Sequence, residues 1–314
     1  MAEDETRDVV RALSSADLNV NSVKRVTAKA EPVFRVKTDS GLRYVKILRD
    51  WNGRALASVV NGFPEIGLPS ARLVQAERYM LIMCPAAGWP LSTTLPVYLL
   101  PLSWKVAQQQ GLLVAMRRIG NRLGRLHTLT SEGFRTPGDD DRRSSNLIHL
   151  KNSFCQRLGG EPNQRIQLLF DKLEARRLPA CKIHGDPTPH NLFFNPRTGE
   201  TNMIDFNLHS SVALEDIVIF EVGLELMAER HPLARRSQYF RLVDAFRAGY
   251  RETGLHDHLP TNALRALKLG YYCKYLENLR GGADANGVAE HITHLTDPPV
   301  VERRIRMLAN TEDY

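Results

Sequence analysis

The chain has 314 residues, 43% apolar and 25% charged, and a formal charge of +7 at pH 7. That length can bury a substantial core in one large domain or two lobes, and the composition is that of an ordinary soluble globular protein. The basic residues are dispersed, so the charge implies an affinity for anions without choosing among nucleotide, phosphorylated substrate, nucleic acid, acidic membrane surface or plain solubility.

Cys84, Cys155, Cys181 and Cys273 are scattered with no C-x-x-C pair. Neither a zinc ribbon nor a dense disulfide framework fits, so reduced thiols in a cytoplasm are expected. Residues 1–5 are acidic with no apolar segment behind them, unlike a secretory signal. The apolar stretch 95–104 is about half a membrane span and carries Pro96 and Pro101. No transmembrane segment is expected, and peripheral membrane contact stays open.

In chain order, residues 22–49 read as strands. Val33-Phe34-Arg35-Val36-Lys37-Thr38 alternates apolar and polar, Asp39-Ser40-Gly41 is a turn, and Tyr44-Val45-Lys46-Ile47-Leu48 resumes the apolar pattern. Residues 54–61 read as a short helix, followed by the breakers Gly62, Pro64, Gly67 and Pro69. Residues 71–74 and 79–83 are further strands around a polar turn. Pro85, Gly88 and Pro90 mark a linker. Beyond it, Leu112, Met116, Ile119, Leu123 and Leu126 recur every three or four residues and predict one face of a helix over 106–129. Residues 132–145 are polar and read as a loop. Residues 148–177 read as helical with a break at 159–162. Short strands flank a turn at 195–199, and helices resume from 214. Nothing repeats at a fixed period. The order is a small sheet-rich lobe (1–84), a linker, and a larger helical lobe (within 85–314).

The chemistry concentrates in Ile183-His184-Gly185-Asp186-Pro187-Thr188-Pro189-His190-Asn191-Leu192-Phe193-Phe194 and Asn202-Met203-Ile204-Asp205-Phe206. Two carboxylates and an amide sit at the edges of short apolar strands joined by a hairpin, which places Asp186, Asn191 and Asp205 on one side. Phosphoryl transfer needs such a set: one carboxylate to orient and deprotonate an attacking hydroxyl, another with an amide oxygen to hold Mg²⁺ against phosphates.

The spacing His184-Gly185-Asp186-x-x-x-x-Asn191 resembles the catalytic loop of the aminoglycoside phosphotransferase and choline kinase family, a branch of the protein-kinase-like superfamily. Ile204-Asp205-Phe206 resembles its metal-binding motif, with Asn207 where many kinases have glycine. Leu123-Gly124-Arg125-Leu126-His127 resembles the helix end preceding the loop, and Glu215-Asp216-Ile217 the later helix start. The resemblance implies an α+β bilobal kinase-like fold, with a small antiparallel-sheet nucleotide-binding lobe and a mostly helical catalytic lobe. It implies Asp186 as catalytic base and Asn191 and Asp205 as Mg²⁺ ligands. Lys46 would contact the nucleotide phosphates, and strand 79–84, with Met83 and Cys84, would face the purine. The implied reaction moves the γ-phosphoryl of ATP or GTP to a hydroxyl of a small molecule, with no nucleic-acid partner. His184 would support the backbone. Asp216 is equally readable as a helix cap, and His127 as a cation near a helix C-terminus.

The chain departs from the kinase pattern at two places. Between Ile47 and Pro64 there is no glutamate to hold Lys46, which leaves Glu31 and Glu65 as alternatives, and the turn 28–32 has no glycine. An inactive relative serving as a nucleotide-binding scaffold is the alternative these departures leave. A protein-hydroxyl acceptor is disfavoured, because Ala-Pro-Glu is absent and little chain separates Asp205 from the helix at Leu214. Acids do not visibly cluster in the basic helical lobe, so the acceptor reads as neutral or anionic, such as a sugar or glycan, rather than a polycation.

Overall fold

The computed structural model describes residues 2–27, 31–48, 71–75, 79–99, 106–136, 161–229, 233–255, 260–280 and 298–310. The alternation at 33–48 becomes a hairpin of β2 (Val33–Thr38) and β3 (Gly41–Leu48), with Val33 opposite Lys46 and Thr38 opposite Gly41. With β1 (Val20–Arg25), β4 (Ala71–Gln75) and β5 (Tyr79–Met83) they form an antiparallel five-stranded sheet in the order β1-β2-β3-β5-β4. Because strand side chains alternate faces, β3 serves two surfaces. Val45 and Ile47 join Phe34, Val36, Met80 and Ile82 beneath a helix, α1 (Ala2–Ser14), whose Val9, Ala12 and Leu13 are fully buried. Lys46 and Leu48 face the other way, and Leu48 and Leu81 belong to the core of the larger lobe. Helix α1 was not anticipated; the acids at 3–5 suit its N-terminus. The helix predicted at 54–61 lies outside the described residues.

The linker holds more structure than its prolines imply. Trp89–Pro90 is a strand, β6, paired with β9 (Leu192–Phe194), and β9 in turn pairs with β10 (Thr201–Met203). The chain therefore enters the larger lobe by bonding to the hairpin that follows the catalytic-loop motif. The apolar stretch from Leu95 starts inside α2 (Leu91–Tyr98), which buries Leu91, Thr94 and Leu95.

Helix α3 (Val106–Leu129) lies where its periodicity placed it, burying Leu112, Met116, Ile119, Leu123 and Leu126. It packs along α6 (Leu233–Arg251), where a side chain on Gly120 would strike the Phe246 carbonyl and one on Gly249 the Arg117 carbonyl. Residues 133–135, expected in a loop, instead form β7 (Gly133–Arg135), because a neighbouring edge is available. β7 pairs with β8 (Leu178–Lys182), which also pairs with β11 (Ser210–Val212). Helix α4 (Glu161–Glu174) begins at the expected break. Helices α5 (Leu214–Glu229), α7 (Thr261–Arg280) and α8 (Pro298–Asn310) complete the lobe, α5 being buried over nearly its whole length. No described helix is long and apolar enough to cross a membrane.

Candidate active site

The loop between β8 and β9 is held from beneath by one buried carboxylate. Asp216, in the first turn of α5 and fully buried, accepts hydrogen bonds from the backbone N–H groups of His184 (Oδ2, 2.6 Å) and Gly185 (Oδ1, 2.8 Å). His127, also fully buried, lies 2.9 Å from Asp216 Oδ2 through Nε2 and 2.9 Å from the Tyr250 hydroxyl through Nδ1. Burial opposes charge on Asp216, but the His127 hydrogen bond and the backbone donors win, and its carboxyl is held below the usual aspartate range. Asp216 therefore anchors the loop rather than capping its own helix. His127 does lie in the last turn of its helix, as expected, but is buried there as the partner of Asp216. The signal was present in sequence as Glu215-Asp216 and Arg125-Leu126-His127, but nothing there showed that they meet.

His184 supports the same loop. Its Nδ1 accepts from the Asp186 N–H at 3.3 Å, and its ring stacks on Phe206 with centroids 4.1 Å apart. Complete burial pushes this imidazole's pKa down, against the pull of Asp216 and Asp205. Gly185 has φ +85°, and a side chain there would reach within 2.8 Å of His209 Cε1. The loop's far side is fixed where Ser92 N–H donates to the Pro189 carbonyl at 3.0 Å and where Pro189 packs on Gly223 of α5.

On this base the predicted residues come together. Asn191 Nδ2 donates to the Asp186 backbone oxygen (2.9 Å) and to its carboxylate Oδ2 (2.8 Å). Ile204 N–H donates to the Asn191 carbonyl and Asn207 N–H to the His184 carbonyl, tying the two motif segments side by side. Asp205 sits between these bonds with φ +62°, a left-handed conformation uncommon for non-glycine residues and shared here by Asp17 and Leu208. Its Oδ1 is 2.7 Å from Lys46 Nζ, so the small sheet's lysine reaches the larger lobe's carboxylate. Lys46 Nζ also lies 2.8 Å from Glu31 Oε2. Burial would lower the Lys46 pKa, but Asp205 and then Glu31 outweigh it and raise it. Of the two acids considered for Lys46, Glu31 makes the contact, and Glu65 lies outside the described residues. Met83 closes β5 opposite Tyr44 of β3, and Cys84 follows as the chain leaves the sheet. His190 is half-buried.

The donor set suits a hard cation. Both Asn191 hydrogen bonds use the nitrogen, which turns the amide oxygen away from Asp186 toward any ion. With the Asp205 carboxylate it makes an all-oxygen pair of the kind magnesium accepts when phosphates and water complete its shell. Among the described residues no group of three or more His, Cys, Asp and Glu is placed to hold a metal by itself.

No protein-family model and no curated protein sequence matches the chain. Solved structures do. A glucosamine kinase matches with TM-score 0.63 and 15% identity, over 94% of this chain and 82% of that one. The choline kinase LicA from Streptococcus pneumoniae matches with TM-score 0.59 and 12% identity, over 98% and 100%. The amicoumacin kinase hAmiN, solved with AMP-PNP, Ca²⁺ and Ami, matches with TM-score 0.58 and 15% identity, over 98% and 96%. At such identities the likeness is one of fold: this chain has the bilobal protein-kinase-like architecture.

Proposed function

We propose that the protein is a small-molecule phosphotransferase, moving the γ-phosphoryl of ATP or GTP to an acceptor hydroxyl. The supporting observation is the convergence of Lys46 from one lobe with Asp205, Asn191 and Asp186 from the other. A scaffold that only bound nucleotide would not need Asp186 buttressed by Asn191 on a loop anchored through Asp216.

In this reading Asp186 takes a hydrogen bond from the acceptor hydroxyl, orients its oxygen toward the phosphorus and receives its proton as the oxygen–phosphorus bond forms. Asn191 keeps the Asp186 carboxylate turned toward that hydroxyl. Lys46 offsets negative charge on the nucleotide as the leaving diphosphate departs. Asn191 and Asp205 would hold Mg²⁺, which supplies charge neutralisation on the phosphates. The sheet of residues 1–84 would carry the nucleotide, with the backbone at Met83 and Cys84 along the purine. Most of the acceleration would be positioning and electrostatics.

For the acceptor we favour a neutral or anionic hydroxyl compound such as a sugar. Two features bear on this. A glucosamine kinase solved with glucosamine, ADP and inorganic phosphate shares the fold (TM-score 0.63), which supports a sugar; glucosamine is itself an amine, so the preference for a neutral or anionic compound rests on the second feature. The carboxylates along α5, Glu221, Glu225 and Glu229, are each already paired with lysine or arginine, so they offer no open acidic face to a polycation.

The test is Mg²⁺-dependent nucleotide consumption against a panel of sugars, amino alcohols and aminoglycosides, run beside Asp186→Asn and Asp205→Ala. Turnover on a sugar that falls at least about a hundredfold in Asp186→Asn is expected, in line with general-base contributions. Full activity in Asp205→Ala would remove the metal assignment. Nucleotide binding without turnover on any acceptor would leave a scaffold.

A further inference from the structure

We propose that Glu31, at the end of the turn between β1 and β2, is the acid that positions Lys46 for the nucleotide, in place of a glutamate on the segment after β3. This rests on the phosphotransferase reading and deepens it.

The sheet register puts Glu31 there. Val33 is the cross-strand partner of Lys46, so both side chains leave the same face, and the residue two places before Val33 shares that face. The backbone is tied on both sides as it approaches Glu31. On the β3 side, Ile47 N–H donates to the Pro32 carbonyl at 3.1 Å. On the β1 side, Val26 N–H donates to the Val33 carbonyl at 2.7 Å and Val33 N–H to Thr27 Oγ1 at 3.0 Å. Glu31 thus meets Lys46 as a diagonal cross-strand pair at 2.8 Å.

The sequence after β3 makes the assignment useful. Residues 48–63 contain no glutamate, their one acid, Asp50, is only four residues from Lys46 in sequence, and Glu65 lies outside the described residues. Lys46 is 8% exposed and carries three N–H donors. One is directed at Glu31 and one at Asp205. Held by carboxylates from both lobes, the ammonium keeps a third donor for an incoming phosphate oxygen. Glu31 acts through Lys46 and touches no reacting atom. Its side chain is 38% exposed, so its replacement should leave folding intact.

A double-mutant cycle tests this. Affinity for Mg²⁺ with a non-hydrolysable ATP analogue is measured by calorimetry in wild type, Glu31→Gln, Lys46→Met and the double variant, with thermal midpoints alongside. Glu31→Gln should weaken binding roughly tenfold, Lys46→Met at least as much, and the double variant no more than Lys46→Met alone. Glu31→Asp should recover part of the loss. Additive losses would overturn the proposal, because Glu31 would then act elsewhere. So would tighter binding in Glu31→Gln, which would make Glu31 a competitor for the phosphate position. If the glutamine variant unfolds, the cycle built with Glu31→Asp decides by the same criterion. A wild type that binds no nucleotide removes this proposal and the phosphotransferase reading together. One that binds but never turns over removes only the latter, and one that binds without Glu31–Lys46 coupling removes only the former.

Discussion

Asp216 shows what a single buried side chain does in this molecule. Its two carboxylate oxygens satisfy two backbone N–H groups and a histidine in a site with no water access. Replacing it with alanine leaves those donors buried and unpaired, at a cost of about 3–5 kcal/mol. Asp216→Asn keeps the volume but turns one acceptor into a donor, and should fall between the alanine variant and wild type; urea unfolding ranks the three. Gly185 is the complementary case, where a side chain is excluded. At φ +85°, with His209 Cε1 2.8 Å from the would-be Cβ, Gly185→Ala is strained in backbone and in space at once. It should cost about 1–3 kcal/mol and move Asp186. The expected readout is a lower midpoint with a disproportionate loss of turnover.

Among the elements, α5 is unusual in being buried on nearly every side while carrying three carboxylates a helical turn apart on one face. Glu221 is 2.5 Å from Arg247 Nε and 2.7 Å from Lys268 Nζ. Glu225 is 2.5 Å from Lys268 and 2.5 Å from the Tyr272 hydroxyl. Glu229 pairs with Arg236 and Arg304. This ladder ties α5 to α6, α7 and α8, on the side of the helix away from Asp216. Burial alone would raise the Glu221 carboxyl, but Arg247 and Lys268 hold it below the usual range. Its folded pKa is thus depressed, as is that of Asp216. The stability each contributes is present above the unfolded value and is lost as pH falls through the folded one. Thermal midpoints should therefore change little between about pH 7 and 5, then drop below about pH 4.5. Glu221→Gln, already weakened at neutral pH, should show a shallower acid fall.

For the whole molecule, the two lobes share a core, and a polar contact also ties them. Leu48 and Leu81 of the small sheet sit in the hydrophobic cluster that runs down through α3, α5 and α6, and Lys46–Asp205 spans the gap beside them. A ligand that engages both lobes stabilises the molecule by mass action, so Mg²⁺–nucleotide should raise the thermal midpoint of wild type. The shift should shrink in Lys46→Met and vanish in Asp205→Ala, as thermal scans with ATP, GTP and metal-free controls would show. At this scale the sequence was legible wherever a local period or turn carried the information. The β2–β3 hairpin followed from strict alternation around Asp39-Ser40-Gly41, α3 from five leucine, methionine and isoleucine positions, and the β9–β10 hairpin from Asn195-Pro196. It was silent wherever an element exists only because another edge meets it, as with β6 on β9 and β7 on β8.

The residues alone thus determined the β2–β3 and β9–β10 hairpins, α3, the bilobal plan and the chemical identity of the Asp186, Asn191 and Asp205 set, because these depend on neighbours close in the chain. Tertiary structure decided what binds what. Asp216 reads as a cap until α5 passes under the loop, and His127 only as a helix-end residue until α5 and α6 bring Asp216 and Tyr250 to it. Glu31 is one of two acids of equal standing until strand register sets it beside Lys46. Each of those choices is made by a contact between distant segments, which only the closing of the whole core brings within hydrogen-bond reach.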